Sequence, residues 1–201
     1  MSRFLQPVPK WRVSCIIGYR GVGKSTIASS YVEGKFYHHY DPTIESILYK
    51  NINVKGIDYN MKIIDTAGQD EYTLFPPAYA QNIHGYLLVY SIDSKMSYKV
   101  AKITYDKLLE QTGNIILPMI LVGNKSDLQE DRVVSVEEGK ELAKYMKCPY
   151  VEMSAKHISE VDSLFEYLLE LIALDNPHLN PQHPTEGADG GDDKNKKCDI
   201  S

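Results

Sequence analysis

Residues 18–25 constrain the fold more than any other segment of the chain. They read G-Y-R-G-V-G-K-S and fit the phosphate-loop pattern G-x-x-x-x-G-K-[ST]. A polyphosphate concentrates negative charge in a small volume, so its site needs several inward-pointing donors and glycines that let the backbone approach. An apolar, β-branched stretch precedes the loop, and helix formers follow it as far as Gly34. This order predicts a strand, a phosphate-binding loop and a helix, and it disfavours a glycine-rich turn without a ligand.

The positions of this loop have separate expected roles. Lys24 is the point charge expected to reach the β- and γ-phosphates of a nucleotide. The Ser25 hydroxyl is expected to bind the Mg²⁺ that bridges those phosphates. The residues expected around the phosphates are Gly21, Val22, Gly23, Lys24, Ser25 and Thr26.

Short apolar runs alternate with amphipathic segments along the chain. Strands are predicted at residues 12–17, 47–54, 57–65, 85–91, 119–122 and 150–153, and helices at 25–33, 96–111, from Ser135 onward, and 161–174. Strands that alternate with helices predict an α/β fold with a mostly parallel sheet covered on both faces. Ligands of such sheets bind at the carboxyl ends of the strands, and each candidate motif follows a predicted strand.

Size and composition limit the possible classes of protein. The 201 residues allow one domain with a full core, which we assign to 12–174. An extension at 1–11 precedes it, and we predict a disordered linker at 175–197 and a C-a-a-X motif at 198–201. The net charge of −5 and the lack of a basic stripe argue against nucleic acid as a partner. We expect a cytosolic protein, because the first residues lack a secretory signal and the three cysteines make no disulfide framework.

A second motif, D-T-A-G-Q, begins at Asp65, where the third predicted strand ends. Asp65 is suited to hold Mg²⁺ directly or through water, and the Gly68 amide can approach a γ-phosphate because no Cβ obstructs it. Gln69 could then orient the attacking water. D-x-x-G alone is common as a tight turn, but the phosphate loop that precedes it favours a metal and phosphate site.

Two further motifs predict recognition of a purine base. In N-K-S-D, the carboxylate of Asp127 can accept from both N1–H and the exocyclic amine of guanine, a donor pair that adenine lacks. Asn124 is expected to hold neighbouring loops together, and the Lys125 stem to cover one face of the ring. The segment Ser154-Ala155-Lys156 is expected to offer a backbone N–H to the guanine carbonyl. Phe36 is expected to pack against the other edge of the base.

In this order the motifs resemble those of Ras-superfamily small GTPases over about residues 12–174. Within that superfamily the segments G-Y-R-G-V-G-K-S-T, Y-D-P-T-I-E, D-T-A-G-Q-D-E-Y followed by Phe75-Pro76, and I-H-G-Y-L-L-V-Y-S are similar to the Rheb subfamily. The resemblance implies a P-loop NTPase small G domain with a six-stranded sheet and five helices, which switches between GTP and GDP and hydrolyses GTP with Mg²⁺. It also implies that residues 40–47 face an effector and that residues 68–80 form a second switch. By motif position, Thr43 would ligate Mg²⁺, and Tyr37, Tyr40 and Asp41 would contact the nucleotide.

One departure from the Ras pattern bears on hydrolysis. Arg20 stands where Ras has a glycine that leaves room for an activator's arginine finger, and its large charged side chain should obstruct that finger. The resemblance to Rheb implies slow basal hydrolysis, a weak contribution from Gln69, and Tyr40 as a cap on the phosphates. The candidate catalytic residues are Gln69, Lys24 and Tyr40. One alternative for Arg20 is that it points into solvent without effect. Two alternatives for the function also stay open: the protein scarcely hydrolyses GTP and stays GTP-loaded, or it serves another Ras-family pathway.

Residues 198–201, C-D-I-S, fit the C-a-a-X pattern and predict farnesylation of Cys198. Nearby lysines are offset by aspartates, so a single lipid would give reversible membrane attachment. We therefore expect exchange between the cytoplasm and the cytoplasmic face of endomembranes. The resemblance further implies a monomer that has the TOR kinase complex as its effector and is switched off by a GTPase-activating protein.

Overall fold

The computed structural model describes residues 9–36, 44–73, 76–113 and 118–175. Six strands and four α-helices lie within these ranges. The strands are β1 (Lys10–Gly18), β2 (Glu45–Val54), β3 (Ile57–Thr66), β4 (Gly85–Ser91), β5 (Met119–Asn124) and β6 (Tyr150–Glu152). The helices are α1 (Lys24–Glu33), α2 (Lys95–Gln111), α3 (Val136–Met146) and α4 (Ile158–Asp175).

The strands form one sheet in the order β2-β3-β1-β4-β5-β6, and every neighbouring pair except β2 and β3 is parallel. The predicted mostly parallel α/β sheet is therefore confirmed. A two-residue turn joins β2 to β3, with φ of 51° at Lys55 and 79° at Gly56. Positive φ at both central residues matches the twist of the strands that this turn connects.

Helices cover both faces of the sheet. α1 and α4 bury their apolar side chains in one cluster, and α2 and α3 bury theirs in a second cluster on the other face. β4 is buried at all of its positions, as its unbroken apolar run predicts. Within the described ranges no helix is both long enough and apolar enough to cross a membrane.

The helix termini follow the sequence signals. Gly34, with φ of 66°, caps the end of α1, and Ser135 forms a capping box with Glu138 at the start of α3. The expectation of five helices is wrong for the described residues, where the segment after Gly68 forms a 3₁₀ turn at Pro77–Tyr79 instead of an α-helix. Pro76 and Pro77 lack the backbone N–H that an α-helix running through both positions would need.

Candidate nucleotide-binding site

The phosphate loop connects β1 to α1 at the carboxyl edge of the sheet. Gly23 is the N-cap of α1 with φ of 96°, and no side chain caps the helix start. A Cβ at Gly18 would lie 2.1 Å from the carbonyl oxygen of Val89, and one at Gly23 would lie 2.4 Å from Nδ2 of Asn124. The glycines therefore permit close packing as well as backbone approach, and the helix start presents N–H groups suited to an anion.

Lys24 is buried at the first position of α1. Its ammonium group donates to the carbonyl oxygens of Gly18 and Tyr19, at 3.1 and 3.0 Å. Burial lowers the pKa of Lys24 to about 8, although the Asp65 carboxylate acts in the opposite direction. The ammonium is thus held at the mouth of the loop in a setting that favours a neighbouring negative charge.

Asp65 lies near the end of β3 and is also buried. Burial raises the pKa of its carboxyl group, and hydrogen bonds from Ser25 and Ser46 together with the charge of Lys24 only partly offset this. Oδ2 accepts a long hydrogen bond of 3.5 Å from the Ser46 hydroxyl, while Oδ1 has no hydrogen-bond partner among the described residues. A buried carboxylate oxygen of this kind beside a serine hydroxyl fits a hard divalent cation such as Mg²⁺.

The segment after β3 packs directly on the phosphate loop. The backbone N–H of Gln69 donates to the Gly18 carbonyl oxygen at 3.0 Å, and Gln69 pairs with Tyr19 in an isolated parallel bridge. Gln69 is only 4% exposed. A Cβ at Gly68 would lie 2.5 Å from Cα of Arg20, whose exposed guanidinium group lies over the Tyr19 ring at 5.4 Å.

Asn124 connects three loops of the site. Its amide Nδ2 donates to the carbonyl oxygen of Val22 at 2.8 Å, and its Oδ1 accepts from the backbone N–H of Ala155 at 3.0 Å. Asn124 is buried and forms the last residue of β5, which extends two residues beyond the predicted strand at 119–122. One side chain thus fixes the phosphate loop against both of the base-recognition motifs.

The carboxylate of Asp127 is held by two donors. Its Oδ1 accepts from the Ser154 hydroxyl at 2.5 Å, and its Oδ2 accepts from the Lys156 ammonium at 2.6 Å. Burial acts to raise the pKa of Asp127, but the hydrogen bonds from Lys156 and Ser154 outweigh it and the pKa is lowered. Lys125, with φ of 65°, directs its ammonium to Asp93 at 3.3 Å.

Two adjoining cavities lie along these motifs. One, of about 350 Å³, is lined by Arg20, Gly21, Gly23, Lys24, Ser25, Thr26, Thr66, Ala67, Gly68 and Lys125. The other, of about 210 Å³, is lined by Gly23, Thr26, Phe36, Asn124, Lys125, Asp127, Leu128, Ser154, Ala155 and Lys156. Because both share Gly23, Thr26 and Lys125, the arrangement offers a phosphate-sized space that continues into a base-sized one.

Some predicted site residues lie outside the described ranges, namely Tyr37, Tyr40, Asp41, Thr43 and Cys198. Sequence reasoning missed Asp93, which holds Lys125, and Thr66, which lines the phosphate cavity and donates to the Ile16 carbonyl oxygen at 2.8 Å. It also missed Glu160, which accepts from the backbone N–H of Ser154 at 2.9 Å. The available signal for Asp93 and Thr66 was their position at the carboxyl ends of predicted strands.

The fold and this site define a P-loop nucleotide-binding G domain. A model described as the Ras family matches residues 14–174. The GTP-binding protein Rheb homolog of Drosophila melanogaster is 50% identical over 173 residues, which is 86% of this chain and 94% of that protein. The GTP-binding protein Rheb of Homo sapiens is 46% identical over 84% of this chain and 92% of its own length. The GTP-binding protein rhb1 of Schizosaccharomyces pombe is 44% identical over 91% of this chain and 97% of its own length.

The chain belongs to the Ras family. More specifically, it is a Rheb-like small GTPase, which binds GTP and GDP and hydrolyses GTP.

Proposed function

We propose that this Rheb-like GTPase is a switch with slow intrinsic hydrolysis, which activates the TOR kinase complex and is turned off by a GTPase-activating protein. The observation that carries the slow hydrolysis is the burial of Gln69, whose backbone is bonded to the phosphate loop at Gly18. A glutamine that orients the attacking water has to reach the space beyond the γ-phosphate. Gln69 is buried and does not line the phosphate cavity, so we expect it to contribute little to the intrinsic rate.

The remaining residues of the site bind and orient the nucleotide in this proposal. Lys24 and the N–H groups at the start of α1 hold the phosphates, and Asp127 accepts from guanine N1–H and the exocyclic amine. Mg²⁺, when bound, would neutralise charge on the phosphate oxygens. The residues that would hold it are Ser25, Asp65 and Thr43, and the buried Oδ1 of Asp65 supports this assignment.

The first test is single-turnover hydrolysis of bound GTP by the purified protein, with GTP and GDP separated by chromatography. We expect Gln69→Leu to change the rate by less than about twofold, which corresponds to under half a kcal/mol in the barrier. Arg20→Gly should accelerate hydrolysis when an arginine-finger activator is supplied, because it removes a large charged side chain that we expect to obstruct the finger. Lys35→Ala, at an exposed position after α1, is the control.

Fast turnover that Gln69→Leu abolishes would mean a Ras-like mechanism and would contradict the proposal. An Arg20→Gly variant that keeps the parent rate, with and without activator, would mean that Arg20 points into solvent without effect. Hydrolysis too slow to measure under every condition would support the alternative of a GTP-loaded binding module.

The effector proposal is supported by the 44–50% identity to Rheb proteins. We expect the protein loaded with a non-hydrolysable GTP analogue to bind the TOR kinase complex and raise its kinase activity. The same protein loaded with GDP is the matched control. Equal binding and equal kinase activity in the two nucleotide states would contradict this part of the proposal.

The proposed membrane attachment rests on the C-a-a-X sequence at Cys198. We propose farnesylation there and reversible exchange between the cytoplasm and the cytoplasmic face of endomembranes. Mass measurement of protein recovered from cells should find a farnesyl group, and Cys198→Ser should lose the lipid and the membrane-bound fraction. Membrane recovery of Cys198→Ser at the parent level would contradict it.

A further inference from the structure

The loop that carries Lys125 and Asp127 is connected to strand β6 by side-chain contacts. Arg132 follows this loop, and its guanidinium group forms a two-pronged ion pair with the carboxylate of Glu152 in β6, with Nη1 to Oε2 at 3.0 Å. Both side chains are 18% exposed. Because bidentate pairs fix geometry as well as add energy, Arg132 has a defined position relative to the sheet.

Tyrosine hydroxyls reinforce this position. The Tyr150 hydroxyl donates to Oε2 of Glu152 at 2.9 Å and lies 2.9 Å from the Tyr90 hydroxyl of β4. A Cβ at Gly123, which directly precedes Asn124, would lie 2.8 Å from the Tyr150 hydroxyl oxygen. Glu152 is therefore anchored by Tyr150 of its own strand, which Tyr90 of β4 contacts in turn, independently of the loop.

Gln129 connects Arg132 to the loop backbone. Its Oε1 accepts from Nε of Arg132 at 3.0 Å, while its Nε2 donates to the carbonyl oxygen of Ser126 at 2.5 Å. Ser126 lies between Lys125 and Asp127, and its own N–H donates to the Met153 carbonyl oxygen at 3.1 Å. The hydrogen bonds thus run without interruption from β6 to the peptide unit beside the base-reading carboxylate.

We propose that Gln129 and Arg132 are positioning residues for guanine recognition, which hold the Asp127 carboxylate through the Ser126 carbonyl. Gln129 is exposed and does not line the base cavity, so it acts through the loop and not by contact with the base. A shift of the backbone weakens both bonds of a carboxylate that accepts two parallel donors, since hydrogen bonds weaken steeply away from linear geometry. This inference rests on Asp127 as the base-reading residue of the proposed function.

The test measures dissociation of GDP and of IDP, whose base lacks the exocyclic amine, from the purified protein. For Gln129→Ala we expect roughly threefold faster GDP release and a similar fall in the preference for GDP over IDP, as loss of one ordinary hydrogen bond implies. Gln111→Ala, at an exposed position at the end of α2, is the matched control and should keep the parent values.

Gln129→Glu separates positioning from simple stabilisation. The glutamate keeps an oxygen for Arg132 but places a second oxygen against the Ser126 carbonyl, where the amide donated. We expect it to speed GDP release and lower the GDP preference at least as much as Gln129→Ala, with the thermal stability of the nucleotide-free protein retained. A merely structural role would lower the thermal stability of Gln129→Glu and leave its preference for GDP over IDP unchanged.

The two possible failures are distinguishable. A parent protein without preference for GDP over IDP would remove Asp127 from base reading, and with it the proposed function of that residue. A parent protein with a clear preference that both Gln129 variants retain would overturn the positioning role alone.

Discussion

The base half of the site, around Asp127, and the phosphate half, around Lys24 and Asp65, differ in what sets the pKa of their charged groups. In the base half, Lys156 and Ser154 outweigh the effect of burial on Asp127, whose pKa is lowered. In the phosphate half, burial outweighs the partners, so the pKa of Lys24 falls and that of Asp65 rises. The protein satisfies its own charge at the base, whereas at the phosphates it holds charges that a polyanion and a cation would stabilise.

This difference indicates which half of the site supplies the affinity for the nucleotide and which half supplies the selectivity for the base. Groups that burial pushes toward their neutral forms gain most when an opposite charge is placed beside them. We therefore expect the phosphate half to supply most of the affinity and the base half, which is already ordered by its own hydrogen bonds, to supply discrimination between bases. The following predictions test this division.

The largest effect is expected for Lys24→Met. It removes the buried ammonium and should weaken GDP binding about 100-fold or more, because hydrogen bonds to charged groups are each worth about 1.5–3 kcal/mol. The preference for GDP over IDP should stay near the parent value. Fluorescent-nucleotide titration measures both quantities, with Lys35→Met as the exposed control. A large change in the preference for GDP over IDP would contradict the claim that the phosphate half supplies affinity and the base half supplies selectivity.

Asp127→Ala is expected to have the second largest effect. It should lower the affinity for GDP roughly 10- to 100-fold through loss of two hydrogen bonds to guanine at about 0.7–1.4 kcal/mol each, and it should abolish the preference over IDP. The dependence of binding on Mg²⁺ should remain as in the parent. Competition titrations with GDP and IDP, in Mg²⁺ and in EDTA, give all three quantities, and a lost Mg²⁺ effect would contradict the comparison.

A smaller effect is expected from pH, through the pKa of about 8 at Lys24. As pH rises from 7 to 9 a growing share of the nucleotide-free protein carries the neutral amine, so GDP affinity in EDTA should fall by up to about tenfold. Because this pKa lies below the ordinary 10.5, the unfolded chain binds more protons between the two values, and the free energy of unfolding of the nucleotide-free protein should rise with pH there. Lys24→Met should flatten both trends.

The smallest effect is expected for Tyr79→Phe, which tests a contact between two segments near the phosphate half of the site. The Tyr79 hydroxyl donates to Oε2 of Glu45 at 2.7 Å and links the 3₁₀ turn to the start of β2. Its loss should lower the free energy of unfolding by about 1 kcal/mol, without altering the GDP preference. Urea unfolding of the GDP-bound protein measures this, with Tyr145→Phe as the control because that exposed hydroxyl also donates to a carboxylate, Asp106. Equal losses in the two variants would contradict the prediction.

The sequence predicted the parts of the fold that depend on local pattern. The buried run of β4, the cap at Ser135 and the turn at Lys55-Gly56 were each recognisable from a few adjacent residues. The motif residues also predicted which loops meet, because the carboxyl ends of parallel strands share one edge of the sheet.

The contacts that the sequence did not predict join residues far apart in the chain. Arg132 pairs with Glu152 across 20 positions, and Tyr79 with Glu45 across 34. Such pairs depend on strand order and register, which a single sequence does not specify. The fifth helix was inferred from family resemblance alone, and the local chemistry of Pro76 and Pro77 argues against it.

The single amide of Asn124 has a consequence for nucleotide exchange. Because it bonds both Val22 in the phosphate loop and Ala155 beside the base, displacing either loop strains the other. The binding free energies of the nucleoside and of the phosphates should therefore be non-additive, as for any two groups that share a partner. A nucleotide-exchange factor that displaces the phosphate loop would therefore also weaken the binding of the base by this protein, without contacting the base itself.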